Sequence, residues 1–183
     1  PYRRRTVSGA KGCVLEIGVG SGLNLPLYSD KVIRVIGVDP SAELLRIAAD
    51  AARGARPDVD LIEGLAETVP LENASVDSVV VTWSLCSVTD PKTVLDEIRR
   101  VLKPNGRLHF AEHGLAPEQS VRRWQDRLTP IWRRCAGNCH LDRPVASLIE
   151  DCGFRIERLD TGYAKGPKPM AFMYEGVARS KRC

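Results

Sequence analysis

Three glycines at alternate positions close the run Val14-Leu15-Glu16-Ile17-Gly18-Val19-Gly20-Ser21-Gly22. An apolar stretch that ends this way reads as a buried strand entering a turn whose bare backbone a ligand can approach closely. The spacing is G-x-G-x-G, and Leu23 stands where the dinucleotide-binding pattern G-x-G-x-x-G puts its third glycine. Glu16, in the strand just before the turn, would repel a pyrophosphate. A carboxylate there suits a ligand with a positive end, a sulfonium or an ammonium. Asp39 lies twenty-one residues beyond Gly18, at the end of the next apolar run, where a carboxylate accepts both hydroxyls of a ribose. Gly18, Gly20, Gly22, Glu16 and Asp39 together describe a site for an adenosyl ligand that carries positive charge.

The elements that must position these residues alternate in type. Cys13 to Gly18 and Val32 to Val38 predict the first two strands. Ser41 is placed to cap a helix with Leu44, Leu45, Ala48 and Ala52 on one face and Glu43 in its first turn. Val59 to Glu63, Val76 to Trp83 and Arg107 to Ala111 predict three more strands, with Val79, Val80 and Val81 covered on both faces. Pro91 opens a helix carrying Val94, Leu95, Ile98, Val101 and Leu102, which Lys103-Pro104-Asn105-Gly106 ends. Beyond residue 112 the rhythm changes. Pro130 divides Glu118 to Cys135 into two short helices, and Pro144 to Cys152 forms another that Gly153 closes. Phe154 to Leu159 and Ala171 to Ala178 are strand-like. Alternating strands and helices require crossovers and a parallel sheet. The expected fold is one α/β domain over residues 1–183, with an inserted helical lid at about 115–143.

Composition narrows the class. The 183 residues suit a single domain, and 43% hydrophobic against 27% charged predicts a packed core rather than disorder. A net charge of +4 is too small to argue for nucleic acid. The basic residues at the two ends (Arg3, Arg4, Arg5, Lys11; Arg179, Lys181, Arg182) and between Arg122 and Arg143 read as solvated surface charge. No stretch approaches the ~18 apolar residues of a membrane helix, and no charged-then-apolar leader opens the chain. The chain starts at Pro1 rather than Met, which leaves open an anchor or lid helix ahead of it. Cys13, Cys86, Cys135, Cys139, Cys152 and Cys183 show no C-x-x-C spacing, which argues against a secreted disulfide framework and for a reducing cytoplasm.

Over nearly its whole length the chain resembles the class I S-adenosylmethionine-dependent methyltransferases. Val14–Asn24 is similar to their first motif and Val35–Pro40 to the acidic end of their second strand. Gly64-Leu65-Ala66-Glu67-Thr68-Val69-Pro70-Leu71 resembles their adenine loop. Leu102-Lys103-Pro104-Asn105-Gly106-Arg107-Leu108 resembles their L-x-P-G-G-x-L turn, with Asn105 in place of the first glycine, a swap that left-handed backbone tolerates. Within the class, Gly20-Ser21-Gly22-Leu23-Asn24-Leu25-Pro26, Leu85-Cys86-Ser87-Val88, Glu112-His113 and Gly137-Asn138-Cys139-His140-Leu141 resemble the methyltransferase-like thiol methyltransferases and their bacterial relatives. The resemblance implies a Rossmann-like, seven-stranded, mostly parallel sheet with helices on both faces and an antiparallel last strand. It implies S-adenosylmethionine as cofactor.

It also implies roles. Glu16 would hold the methionine amino group through water, and Gly18, Gly20 and Gly22 would line the methionine chain and the ribose. Asp39 would bind the ribose, with Pro40 packed on the adenine. Ala66, through its N–H, and Glu67 would meet the adenine edge, while Trp83 and Ser84 would border the methionine part. Many relatives carry Asp where this chain has Leu65, which cannot accept the adenine amino hydrogens, so that role passes to Glu67 or a backbone carbonyl. Methyl transfer is an in-line displacement at an activated carbon, so the protein chiefly aligns the reactants and excludes water. The expected acceptor is a small molecule: a thiol first, and otherwise an oxygen, nitrogen or carbon nucleophile or a quinone precursor. A thiol reacts as its thiolate. That makes His113, Glu112 as its orienting partner, and His140 the candidate catalytic residues.

Other readings fit less well. Cys135-Ala136-Gly137-Asn138-Cys139-His140 lacks zinc-knuckle spacing and a fourth ligand nearby, so no metal is expected. Arg122, Arg123, Arg127, Arg133 and Arg134, interleaved with Trp124 and Trp132, could stack on RNA, but Glu118 and Asp126 dilute the charge. The tryptophans are expected to cover the acceptor cleft while the arginines face water, and the same apolar residues offer a surface for peripheral membrane contact. Leu23 and Glu16 disfavour a nicotinamide oxidoreductase. A cofactor-binding regulator without turnover would share the glycine turn and the acid, and that alternative stays open. The sequence carries no signal for oligomeric state.

Overall fold

The alternation of apolar side chains in the first and fourth strands already assigns two core faces. In the computed structural model, which describes residues 1–181, Leu15, Ile17, Val79 and Val81 face one side and Val14 and Val80 the other. Arg182 and Cys183 lie outside the described residues. The strands are β1 (Gly12–Ile17), β2 (Val32–Asp39), β3 (Asp58–Glu63), β4 (Val76–Thr82), β5 (Leu102–His113), β6 (Phe154–Tyr163) and β7 (Phe172–Ser180). They form one sheet in the order β3-β2-β1-β4-β5-β7-β6. The first five pair in parallel, and β7 runs antiparallel between β5 and β6. The chain winds outward from β1 to β3 and then crosses back to β4, which opens a crevice at the carboxyl ends of β1 and β4.

Helices cover both faces. On the first, α3 (Pro91–Val101) buries Val94, Leu95, Ile98 and Val101, and α5 (Val145–Asp151) buries Val145 and Ile149. Full burial of each such side chain is worth about 1.5–3 kcal/mol, so these stripes hold the helices against the sheet. Asp90 caps α3 by accepting the Lys92 and Thr93 N–H groups at 3.0 and 3.3 Å. On the second face lie α1 (Tyr2–Ser8), through Val7, and α2 (Ala42–Ala52), through Leu45. Ser41 caps α2 through the Leu44 N–H, but Leu44 itself turns toward the crevice instead of joining the buried face.

Three expectations are corrected. Residues 119–135 form one continuous helix, α4 (Gln119–Cys135), with Pro130 inside it. The proline leaves only the Asp126 carbonyl without its helical donor, and Asp126 is exposed, so water serves it and the helix persists. The strands β6 and β7 extend beyond the predicted runs because they pair with each other along their length, and β5 extends to His113 against β7 and back to Leu102, with an irregularity between its Leu102 and Arg107 pairings to β4. The N-terminal arginines are not mere surface charge: Arg5 forms a bidentate pair with the buried Glu175 carboxylate of β7, and Arg3 enters the crevice wall. A short α6 (Lys168–Ala171) precedes β7. Among the described residues no helix is long and apolar enough to cross a membrane.

Candidate active site

The glycine turn leaves β1 at Gly18, whose N–H donates to the Val38 carbonyl of β2 at 2.8 Å. Gly18 has φ +66°, and a Cβ there would come 2.0 Å from the Ser84 hydroxyl oxygen, so only glycine fits. Gly22, at φ +78°, serves packing instead. A Cβ there would press on Leu25 and on Ala48 of α2, so its absence lets the turn sit against the helix. Asp39 ends β2 almost fully buried. Its Oδ2 accepts the Gly20 N–H and its Oδ1 the Ser41 N–H, each at 2.9 Å, which fixes the carboxylate at the mouth of the crevice.

Beneath the turn, Glu16 is wholly buried. Its oxygens accept from Asn24 Nδ2 at 2.9 Å and from the Tyr28 hydroxyl at 2.7 Å. Burial pushes its pKa up to about 7, against the pull of Tyr28, Asn24 and the charge of Arg3. Arg3 donates to Asn24 Oδ1 at 3.2 Å and to Thr82 Oγ1 at 2.9 Å, so acid and base share one polar network below the ligand crevice.

Trp83, just past β4, holds a left-handed backbone at φ +53°, a conformation a bulky residue adopts only when its surroundings fix it. They do so on every side. Its N–H donates to the Ala111 carbonyl, Arg3 lies 4.7 Å over its ring, Tyr2 meets it edge-on, and its indole N–H donates to His113 Nε2 at 3.3 Å. The turn that follows is gripped from two directions. Glu112, buried, accepts the Ser84, Leu85 and Cys86 N–H groups at 3.0, 3.1 and 3.0 Å. Arg143, also buried, donates to the carbonyls of Leu85 and Val88. Burial raises the Glu112 pKa while the three N–H groups oppose it.

These elements enclose a cavity of about 590 Å³. Gly18, Gly20, Asp39, Pro40, Ala66, Glu67, Trp83 and Ser84 all line it. Glu16 and Gly22 stand behind the lining. His113, Glu112 and His140 do not line it either: His113 backs Trp83, Glu112 backs the turn, and His140 lies 3.8 Å from Asp142 with its N–H on the Cys86 carbonyl. Sequence reasoning missed Arg3 and Arg143, and only their burial sets them apart from the many surface arginines. Trp124, expected over the cleft, is 55% exposed with Arg127 against its ring, so it does not cover the cavity. Cys135 is exposed and apart from Cys139, while Cys139 instead meets Cys86 and His113.

A glycine turn, a fixed carboxylate at the end of β2 and a crevice at the sheet's reversal define a nucleoside-binding α/β protein of the S-adenosylmethionine-dependent methyltransferase class. The family model described as a methyltransferase domain matches residues 15–110, just over half of the chain, and the chain belongs to that family. It is 34% identical to the thiol S-methyltransferase TMT1B of Rattus norvegicus over 80% of this chain and 62% of that one. It is 35% identical to the demethylmenaquinone methyltransferase of Renibacterium salmoninarum over 60% of this chain and 46% of that one. The chain therefore spans less than two thirds of either relative. A crystal structure of an S-adenosylmethionine-dependent methyltransferase from Methanosarcina mazei superposes with a TM-score of 0.74 at 23% identity, covering 97% of this chain and 96% of that one, which shows the shared fold.

Proposed function

We propose that this chain transfers a methyl group from S-adenosylmethionine to a small thiol. The observation that carries the cofactor reading is Asp39, buried and immobilised at the lip of a turn whose backbone only glycine can form. The residues present fit the cofactor. A Cβ would fill the cradle at Gly18, Asp39 suits the ribose hydroxyls, and Glu16 and Arg3 offer one negative and one positive partner for the ammonium and carboxylate of the methionine end. Bound there, S-adenosylmethionine supplies an electrophilic methyl group on a positively charged sulfur.

The chain's own residues do the rest. Asp39 and the glycine turn hold the nucleoside, and Ala66 and Glu67 border its base. Trp83, held by Arg3, Tyr2 and His113, walls the methionine end and keeps water from the reacting centre. Glu112 and Arg143 act at one remove, fixing the turn from Ser84 to Val88 that completes the wall. His113 acts through Trp83 as a positioning residue, and His140 ties the lid segment to the same turn. Alignment of this kind is worth up to about 7–11 kcal/mol of barrier, which leaves little for acid–base chemistry to supply.

The likeness to a protein named as a thiol S-methyltransferase, over 80% of the chain, favours a thiol acceptor. The likeness to a demethylmenaquinone methyltransferase carries a second reading, a quinone precursor as acceptor. A labelled-cofactor assay across thiol, phenol, amine and quinone acceptors separates them. We expect labelled thioether; label on the quinone alone would replace the first reading with the second, and binding with no transfer to any acceptor would leave a cofactor-binding regulator. Asp39→Ala should raise the cofactor Kd at least about tenfold, since hydrogen bonds to a charged group are each worth roughly 1.5–3 kcal/mol. Wild-type affinity in that variant, by isothermal titration, would remove the cofactor assignment.

A further inference from the structure

Two cysteines and a histidine from three separate parts of the sequence meet behind the cavity wall. The Sγ atoms of Cys86 and Cys139 lie 3.4 Å apart, Cys139 Sγ is 3.9 Å from His113 Nδ1, and the three donor atoms all fall within 4.8 Å of one another. Both cysteines are buried. Nothing in the methyl-transfer reading uses either sulfur.

The hydrogen bonding around the group decides between a metal and a nucleophile. Trp83 donates its indole N–H to His113 Nε2, so that nitrogen carries the lone pair and the neutral ring keeps its proton on Nδ1. A metal would need the Nδ1 lone pair, and would leave two N–H groups facing each other at Nε2. With the proton on Nδ1, the imidazole points a donor at Cys139. A second donor, Trp132 Nε1–H, is buried with no hydrogen-bond acceptor of its own and contributes to the field at the same sulfur. The two sulfurs also share one hydrogen bond, at 3.4 Å. The hydrogen bond shared with Cys86 and the neighbouring His113 pull the Cys139 pKa down, whereas the same shared bond and burial push Cys86 up. The pair is asymmetric: the His113 ring lies against Cys139 and not Cys86, so Cys139 is the sulfur whose thiolate its surroundings favour.

We propose that Cys139 is a peroxide-reactive thiolate which Cys86 resolves into a reversible disulfide. In the first step the Cys139 thiolate attacks one peroxide oxygen. An S–O bond forms, the O–O bond breaks, and the departing hydroxide takes up the proton that Cys139 had given up. In the second step Cys86 attacks the sulfenic sulfur, an S–S bond replaces the S–O bond, and the oxygen leaves as water with the Cys86 proton. Two thiols and one hydroperoxide become one disulfide and two waters (or one water and an alcohol), the sulfurs being oxidised as the peroxide is reduced. A molecule as small as hydrogen peroxide suits sulfurs this buried, reached past the exposed Gly137 and cavity-lining Asn138.

The consequence is local. Cys86 belongs to the turn gripped by Glu112, whose Ser84, Ser87 and Val88 line the cavity. Cys139 belongs to the segment after α4, already joined to that turn through Asn138 Nδ2 to the Ser87 carbonyl and the His140 N–H to the Cys86 carbonyl, both at 2.8 Å. A disulfide converts this hydrogen-bonded closure into a covalent one.

The test treats the reduced full chain with one equivalent of hydrogen peroxide, maps the peptides by mass spectrometry and then adds dithiothreitol. The expected product has lost two hydrogens, carries a Cys86–Cys139 cross-link and reverts on reduction. Cys139 should react at least about tenfold faster than the more accessible Cys135, because the thiolate and not the thiol is the nucleophile. In Cys86→Ser the sulfenic acid should persist at Cys139 and be trapped by a dimedone-type reagent. Oxidation that begins at Cys135, a cross-link to any other cysteine, or one zinc per purified chain released by thiol-blocking reagent would each overturn the proposal. The wild-type map needs no variant to fold.

Discussion

Glu16 shows how much one side chain can reveal. It is a carboxyl group sealed under a glycine turn with two neutral donors and a nearby arginine, and burial wins: its pKa rises to about 7. A group whose folded-state pKa is raised binds protons that the unfolded chain has released, so the ligand-free protein loses stability as pH climbs from the carboxylate range through about 7. With the cofactor's ammonium as the partner proposed for Glu16, the preference reverses, because the charged form then gains a partner. Cofactor affinity should therefore rise with pH up to about 7, by at most about tenfold per unit, and flatten above it. Isothermal titration in buffers of different ionisation enthalpy should detect proton release below that point, and Glu16→Gln should abolish it. Affinity that ignores pH across this window would separate Glu16 from the ligand. Gly18, Gly20, Asp39 and Glu16 were legible in the sequence because their chemistry is local: a strand end, a bare turn, an acid at fixed spacing. Arg3 and Arg143 were not, because an arginine's burial is decided by what packs over it and leaves no trace in the neighbouring residues.

At the scale of elements, α1 behaves as a strap. Arg5, at its middle, fixes it to Glu175 of β7, and Arg3, in its first turn, enters the cavity wall beside Trp83. The Glu175 side chain is 2% exposed, so removing its partner leaves a buried charge with only the longer contact to Arg158 at 3.9 Å. Arg5 itself is half-exposed, which limits the loss to about 1 kcal/mol, a few degrees in Tm. Arg5→Ala should lower Tm and also weaken cofactor binding, although Arg5 does not line the cavity. Arg3→Ala, which also gives up the hydrogen bonds to Asn24 and Thr82 and the contact with Trp83, should weaken binding more. Melting curves with titrations on both variants check this, and equal binding loss without any Tm difference would show that α1 is not a strap. The sequence read α3 correctly from its apolar stripe and proline start, yet read α4 as two pieces, because a proline's cost depends on whether water can reach the carbonyl it orphans. That carbonyl belongs to Asp126, which is exposed.

For the whole molecule, the decisive fact is the order β3-β2-β1-β4-β5-β7-β6, which reverses at β1 and gathers the ends of β1, β2 and β4 around one cavity. Alternating strand and helix patterns announced the parallel sheet, but not which distant turns would touch. Cys86, His113 and Cys139 come together only because β4, β5 and the segment after α4 converge at the same edge, and no spacing rule links them. Such a cavity, formed from several elements, is largely dismantled when the sheet unfolds, so a ligand that fills it stabilises the whole domain. At a concentration a hundred times its Kd, S-adenosylmethionine should add about 2.7 kcal/mol. For a domain of this length that is roughly 5–11 °C in Tm, at about 2–4 °C per kcal/mol. Asp39→Ala at the same ligand concentration should lose most of the increase, because the lip of the cavity then lacks the carboxylate we propose for the ribose. A nicotinamide dinucleotide should raise Tm little, since Leu23 replaces the glycine its pyrophosphate turn requires and Glu16 lies beneath that turn. The reverse pattern, a rise with the dinucleotide and none with S-adenosylmethionine, would mean that the cavity answers to a diphosphate, whatever the fold around it suggests.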